Sequence, residues 1–225
     1  MNNKEKILIV LLEFCLIIGA QWLILSSIEN SNGIWEWIIS SAVLFGIMPI
    51  LTIKYFFREG LSNYFIKARN EKEGNLLLFL TSIGFFGLMT LGVVKLNWQE
   101  FIPVSRWLIS GDIYLVLFID LLLMPMVIVA NEIFFRGLMM VSFAKWLGIP
   151  AGIVLQSLAA IFSTSFFLEN IKDIEVEKIV ILFVFNLFLG YICFKKRSIF
   201  VSAFIHWLFY LAIDSIVLYQ IYGIK

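Results

Sequence analysis

Residues 113–137 read IYLVLFIDLLLMPMVIVANEIFFRG, a run of apolar side chains that ends in Asn131-Glu132-Ile133-Phe134-Phe135-Arg136-Gly137. The apolar part is long enough to cross a bilayer, and the polar part lies inside it rather than beyond it. An ionisable side chain at membrane depth costs about 2.5–3.5 kcal/mol on insertion scales and is normally paired or turned toward a protected cavity. Glu132 and Arg136 stand four residues apart, so on a helix they share a face and can neutralise one another. Two readings stay open: an ion pair that staples helices, with Asn131 as a polar packing group, or a functional site.

Working outward, composition sets the compartment. The chain has 225 residues, of which 61% are hydrophobic, 15% charged and 23 are Phe, and its mean hydropathy is +0.97. No water-soluble domain of this length hides so much apolar surface, so the chain reads as an integral membrane protein. Seven stretches approach the ~20 residues needed to span the hydrocarbon core, at about 7–28, 34–57, 76–96, 113–135, 149–168, 179–194 and 199–222. The expected fold is all-α, a polytopic bundle of about seven transmembrane helices. Lys and Arg fix the orientation, because positive loops stay cytoplasmic. With the N-terminus inside, twelve of the seventeen fall on the cytoplasmic side, among them Lys6, Arg58, Lys67, Arg136, Lys145 and Arg197. This predicts N-in, C-out.

Lys4 and Lys6 precede the first apolar run as in a signal peptide, but about 22 apolar residues exceed the usual h-region and no small-x-small site follows, so the segment is expected to stay as an anchor. Cys15 and Cys193 both fall in predicted spans and suggest no disulfide framework. No linker or fixed-period repeat divides the chain, which reads as one membrane domain over 1–225. The longest polar stretch, Arg58 to Asn75, mixes charges and reads as a cytoplasmic connector that could include a short surface helix. With a net charge of +1, it does not point to nucleic acid.

Polar residues inside spans narrow the search for a site: Glu13 and Gln21, then Asp120, Asn131 and Glu132, then Gln156, Asn186, His206 and Asp214. Interhelical hydrogen bonds are the default role for each, and Asp120 and Asp214 either line a polar channel or satisfy one another. His206 is the only histidine. Zinc chemistry ordinarily needs three protein ligands and an open position, so one imidazole with Glu132 falls short. No G-x-S-x-G segment, P-loop or dinucleotide fingerprint is present.

The order Asn131-Glu132-x-x-x-Arg136-Gly137, then Phe162-x-x-x-Phe166, then Ser198-Ile199-Phe200 leading to His206, resembles the CPBP family over about residues 113–215. This family, also called Abi, includes CAAX prenyl endopeptidases, bacteriocin-processing and immunity proteins, and lysostaphin-resistance protein A. Its pattern is Glu-Glu-x-x-x-Arg, Phe-x-x-x-His and His-x-x-x-Asn or Asp on successive membrane helices. The resemblance implies an intramembrane metalloprotease framework with three departures. Asn131 stands where the first glutamate would polarise water, and an amide cannot take that proton. Phe166, or Ser165 if the register slips by one, stands for the second-motif histidine. Tyr210 stands for the Asn or Asp of the third motif.

Glu132, Arg136, Phe162 and His206 survive, with Glu132 and His206 as residual motif positions. The expectation is a catalytically inactive relative in a bacterial plasma membrane. It would hold a partner membrane protein or peptide by a transmembrane helix, similar in kind to lysostaphin-resistance protein A as a companion of cell-envelope enzymes. Gly84, Gly87 and Gly92 would permit close helix approach. No cofactor is expected. The alternatives are a divergent CAAX-type metalloendopeptidase using zinc, with His206 and Glu132 among its ligands, and a bacteriocin immunity protein.

Overall fold

The computed structural model describes residues 1–27, 34–66, 113–166 and 176–222. These residues form six long helices and one short turn, with no strand among them. We number the helices α1 (Asn3–Ser27), α2 (34–56), α3 (113–147), α4 (Ile149–Phe166), α5 (Val176–Lys196) and α6 (Ile199–Tyr222). Helices occupy six of the seven stretches expected to be spans, to within a few residues at nearly every end. The expected span at 76–96, with Gly84, Gly87 and Gly92, lies outside the described residues. Among the described residues, four helical stretches are long and apolar enough to cross a membrane: Asn3–Ile24, Ile38–Phe56, Val116–Leu147 and Ile179–Lys196. Ile149–Ser163 and Ile199–Ser215 are shorter apolar helices. Leu8, Leu12, Leu16, Leu121, Leu122, Phe200 and Phe204 point outward, an arrangement suited to hydrocarbon rather than water.

Helix α3 corrects the expected end of the fourth span. It does not stop near residue 135 but continues through Arg136 to Leu147, where Gly148 at φ +91° ends it. A left-handed or extended positive-φ residue is readily supplied by glycine, whereas the charge at Arg136 has no power to end a helix once it is neutralised internally. Arg136 is accordingly not a cytoplasmic loop cation. It is 1% exposed in the middle of the bundle, and the charge asymmetry of the loops survives without it.

α3 is the central helix. Its first half packs on α2 and α6, and its second half packs on α1 and α4, while α5 closes the ring between α4 and α6. Two cores result. One joins Val116, Met124, Val127 and Ile128 of α3 to Phe185 and Leu189 of α5 and Phe209 and Ile213 of α6. The other joins Phe134, Leu138 and Met139 of α3 to Ile7, Val10 and Ile17 of α1, Phe45 and Ile53 of α2, and Cys193 of α5. Phe134 and Phe135 meet edge to face, with Phe45 and Phe14 around them. The backbone of α3 is underwound in two places: π-helical turns at Ile119–Leu123 and Ile133–Met139 carry Asp120 and Arg136, the kind of local widening found often at functional positions.

Close approach demands glycine at one position and makes a second one tight. A Cβ on Gly152 of α4 would lie 2.7 Å from the Met140 carbonyl and 2.8 Å from the Ala144 amide. One on Gly137 would lie 3.2 Å from the Tyr64 carbonyl. Tyr64 belongs to the connector after α2, whose described part forms a 3-10 turn, Leu61–Tyr64, that dips inward, while residues 67–75, where a short surface helix could lie, are outside the described residues. Tyr64 is fully buried.

Candidate functional site

The site lies between the two cores, where α3, α5 and α6 meet. Glu132 is wholly buried, and both of its oxygens are engaged. Arg136 Nη1 lies 3.1 Å from Oε1, and His206 Nδ1 lies 2.9 Å from the same oxygen. Ser202 Oγ lies 2.6 Å from Oε2 and 2.9 Å from the Ile199 carbonyl. A hydroxyl has one proton, and the ionised carboxylate is the stronger acceptor. Arg136 Nη2 donates to Asn186 Oδ1. Asn186 in turn donates from Nδ2 to the Leu182 carbonyl at 2.8 Å, and its own carbonyl accepts from Gln156 Nε2 at 3.2 Å. One carboxylate and one guanidinium thus cancel in charge, and both carboxylate oxygens and both terminal nitrogens of the guanidinium are engaged, while Arg136 Nε is buried without a hydrogen-bond partner.

Helical spacing explains how the chain assembles this. Glu132 and Arg136 are neighbours on α3. Ser202, His206, Tyr210 and Asp214 recur every four residues along one face of α6. α3 and α6 run antiparallel, so Glu132 meets Ser202 and His206 while Asp120, three turns back, meets the other end of the stripe. There Trp207 Nε1 donates to the Asp120 carbonyl at 2.8 Å, and the Asp120 and Asp214 carboxyls are neighbours. The two aspartates are thus side by side, with Asp120 Oδ1 and both Asp214 oxygens buried without a hydrogen-bond partner.

An ionised carboxylate only accepts, so His206 Nδ1 is the donor toward Glu132 and Nε2 is the free ring nitrogen. The imidazole is flanked by Phe185, edge to face at 5.6 Å, and by the ring of Tyr210 at 5.3 Å. Asn131 is partly buried beside Glu132 on α3. Phe162 is 54% exposed and touches Phe14 of α1 at 6.3 Å between centroids, on the outer surface of the bundle. Ser165 and Phe166 lie in the last turn of α4, with their side chains outside the described residues. Ser202 and the Arg136 partnership of Asn186 were not singled out by sequence reasoning. Ser202 had a signal in its position one helical turn before His206. Asn186 stood out as a polar residue in a span, but no rule of spacing pairs residues on different helices.

Zinc would need three ligands and an open position. Among the described residues no three His, Cys, Asp or Glu side chains converge, and Glu132 already accepts from Arg136, His206 and Ser202. The donor set among the described residues does not by itself make a three-ligand zinc site. What the arrangement does offer is a rigid, neutral polar knot with one imidazole nitrogen left over.

At the Lys145 end of the bundle a second charged group gathers. Glu59, just after α2, pairs with Lys6 of α1 and, at 2.7 Å, with Lys145 of α3. Partial burial works to raise its carboxyl, but the two ammoniums outweigh this and hold it below the ordinary carboxylate range. Burial, with the Glu59 charge nearby, pushes the Tyr64 phenol upward.

Comparison with known proteins agrees with the motif reading. Residues 112–212 match the model of the family described as type II CAAX prenyl endopeptidase Rce1-like. No curated protein and no solved structure matches the chain. The match begins at α3 and ends within α6, so it takes in Asn131, Glu132, Arg136, Asn186, Ser202 and His206 together. Over residues 112–212, the part that builds the Glu132 site and somewhat under half of its length, the chain is similar to the Rce1-like CAAX prenyl endopeptidase family of the CPBP group.

Proposed function

We propose that this membrane protein uses the CAAX-protease framework to bind rather than to cut, holding a transmembrane helix or membrane peptide of a partner in a bacterial plasma membrane. One observation carries the reading: the single buried glutamate of the motif has both oxygens committed to Arg136, His206 and Ser202, and the preceding position, where a general base would be needed, is Asn131. A carboxylate locked in a salt bridge is a poor proton acceptor, and an amide is none. Glu132 and Arg136 are therefore anchors of the bundle. The convergence of Lys6, Lys145 and the segment around Arg197 at one end of the bundle supports the N-in, C-out orientation, with that end cytoplasmic.

A divergent metallopeptidase is favoured by one feature, the Nδ1 bond from His206 to Glu132, which leaves Nε2 oriented as in a ligand imidazole held by a carboxylate. Elemental mass spectrometry of gently purified protein, together with a cleavage assay on a prenylated CAAX peptide, separates the two. The expected result is substoichiometric zinc, no cleavage, and an unaltered cellular phenotype in His206→Ala. Near-stoichiometric zinc that disappears in His206→Ala, with cleavage lost in parallel, would overturn the binding model.

A further inference from the structure

The segment after α2 is built as a closure. Its backbone leaves the helix at Arg58 with φ 54° and turns again at Phe65 with φ 60°, two left-handed positions held by residues that carry a Cβ. Such conformations are unfavourable for these side chains and persist only where surrounding contacts enforce them. Between the two turns, Tyr64 is buried to zero exposure, and the Lys145 ammonium lies 4.3 Å from its ring centroid. The Tyr64 carbonyl and Ile66 lie directly over Gly137, the residue after Arg136. The Phe65 carbonyl accepts the Ile199 amide at 3.0 Å, satisfying an otherwise orphaned donor at the start of α6, and the Phe65 ring packs edge to face on Phe194. A single turn thereby caps the start of α6 and packs on α3 and α5.

What holds this turn down is mostly outside it. Glu59 is the one acidic side chain of the segment, and Lys6 and Lys145 reach it from two different helices. Asn3 Nδ2 adds a bond to the Lys145 carbonyl at 3.4 Å. Strained turns at both ends and a clasp at the partly exposed rim are the parts of a strap that releases as a unit.

We infer that residues 57–66 form a strap that closes the Lys145 end of the bundle over the Glu132–Arg136–His206 site, and that the Lys6–Glu59–Lys145 clasp sets how often it opens. The inference is independent of whether the site cuts or binds, since either use requires something to reach it. Cys193 provides a natural reporter. It is fully buried in the same cluster as Tyr64 and Ile199, with Ser202, Glu132 and Arg136 beside its thiol, and a buried thiol is inert to water-soluble reagents until it is uncovered.

The experiment is labelling of Cys193 by a charged maleimide in the detergent-purified Cys15→Ser protein, followed by mass spectrometry. Glu59→Gln and Lys145→Met should each accelerate labelling, Glu59→Gln by about three- to tenfold, the factor that two partly exposed ion pairs supply. Arg58→Asn, which relieves the left-handed turn, should slow it. Phe209→Leu, placed in the other core, lowers stability without touching the strap and should leave labelling unchanged below its melting temperature. Equal rates in Glu59→Gln and the parent would overturn the inference. So would equal acceleration by Phe209→Leu, which would mean that Cys193 is reached only by global unfolding.

Discussion

Removing Arg136 alone should be far more damaging than removing it together with its partner. In Arg136→Ala, Glu132 keeps Ser202 and His206 but loses its only fixed cation, while Asn186 loses the guanidinium donor. Both residues of the pair are essentially unexposed, so water does not step in. Breaking a buried pair from one side costs about 3–5 kcal/mol. Arg136→Lys keeps the charge but not the fork that serves Glu132 and Asn186 at once, and should cost about 1.5–3 kcal/mol, the value of a charged hydrogen bond.

The double variant Glu132→Met/Arg136→Leu leaves no buried charge. Ser202 retains the Ile199 carbonyl and Asn186 Nδ2 retains that of Leu182, so the His206 Nδ1 bond and the Asn186 Oδ1 acceptor are stranded. Its cost should stay below that of Arg136→Ala, because two neutral unsatisfied groups replace an unpaired buried carboxylate. Reversible unfolding in mixed micelles at increasing SDS fraction gives all three values, and the cycle gives the coupling. The reasoning fails if Arg136→Ala costs less than about 1 kcal/mol, or if the double variant is as unstable as the single one.

Gly152→Ala should destabilise by about 1–3 kcal/mol through overpacking, because its Cβ meets backbone atoms of Met140 and Ala144 on both sides. Gly19→Ala, at a helical position of α1 with nothing within 4 Å, should instead stabilise by up to about 1 kcal/mol. Thermal unfolding of the two variants reads the contrast. Phe134→Ala should cost about 3–5 kcal/mol, since the ring is wholly buried and touches Phe14, Phe45 and Phe135.

The Glu59 clasp also has a pH signature. Its carboxyl is lowered in the folded protein from the ordinary 4.5, so the stabilisation it gives is complete above that value and is lost as pH falls through the lower folded value. Glu59→Gln should remove this acid-side component, seen as a smaller drop in melting temperature between pH 6 and strongly acid conditions, with the pH 6 difference from the parent vanishing in acid.

The legible part of the fold was the part set by solvent. A run such as 179–194 or 199–222 has to be a helix in hydrocarbon, because only a helix satisfies its backbone internally, and the described helices follow those expectations closely. The end of α3 was misjudged because a cation was read as a boundary. A charge ends a span only if it must reach water, and Arg136 finds Glu132 and Asn186 instead. The connector after α2 was read as surface because its charges dominate its composition. Its apolar Tyr64 and Phe65 are spaced too closely to form a pattern, yet they decide where the turn goes.

The sequence by itself determined the membrane, the helices and the pairing of Glu132 with Arg136, for these depend on composition and on spacing within one segment. The order of the motifs likewise pointed to the family before any geometry was known. Only the tertiary structure decided that Ser202 and His206 complete the shell of Glu132, that Asn186 receives Arg136, and that the turn after α2 lies over them. Those contacts join residues 50 to 74 positions apart, or reach from Phe65 to Ile199. Contacts at such distance arise from how helices pack, and the energy of packing is shared among many side chains of which no short motif is a record.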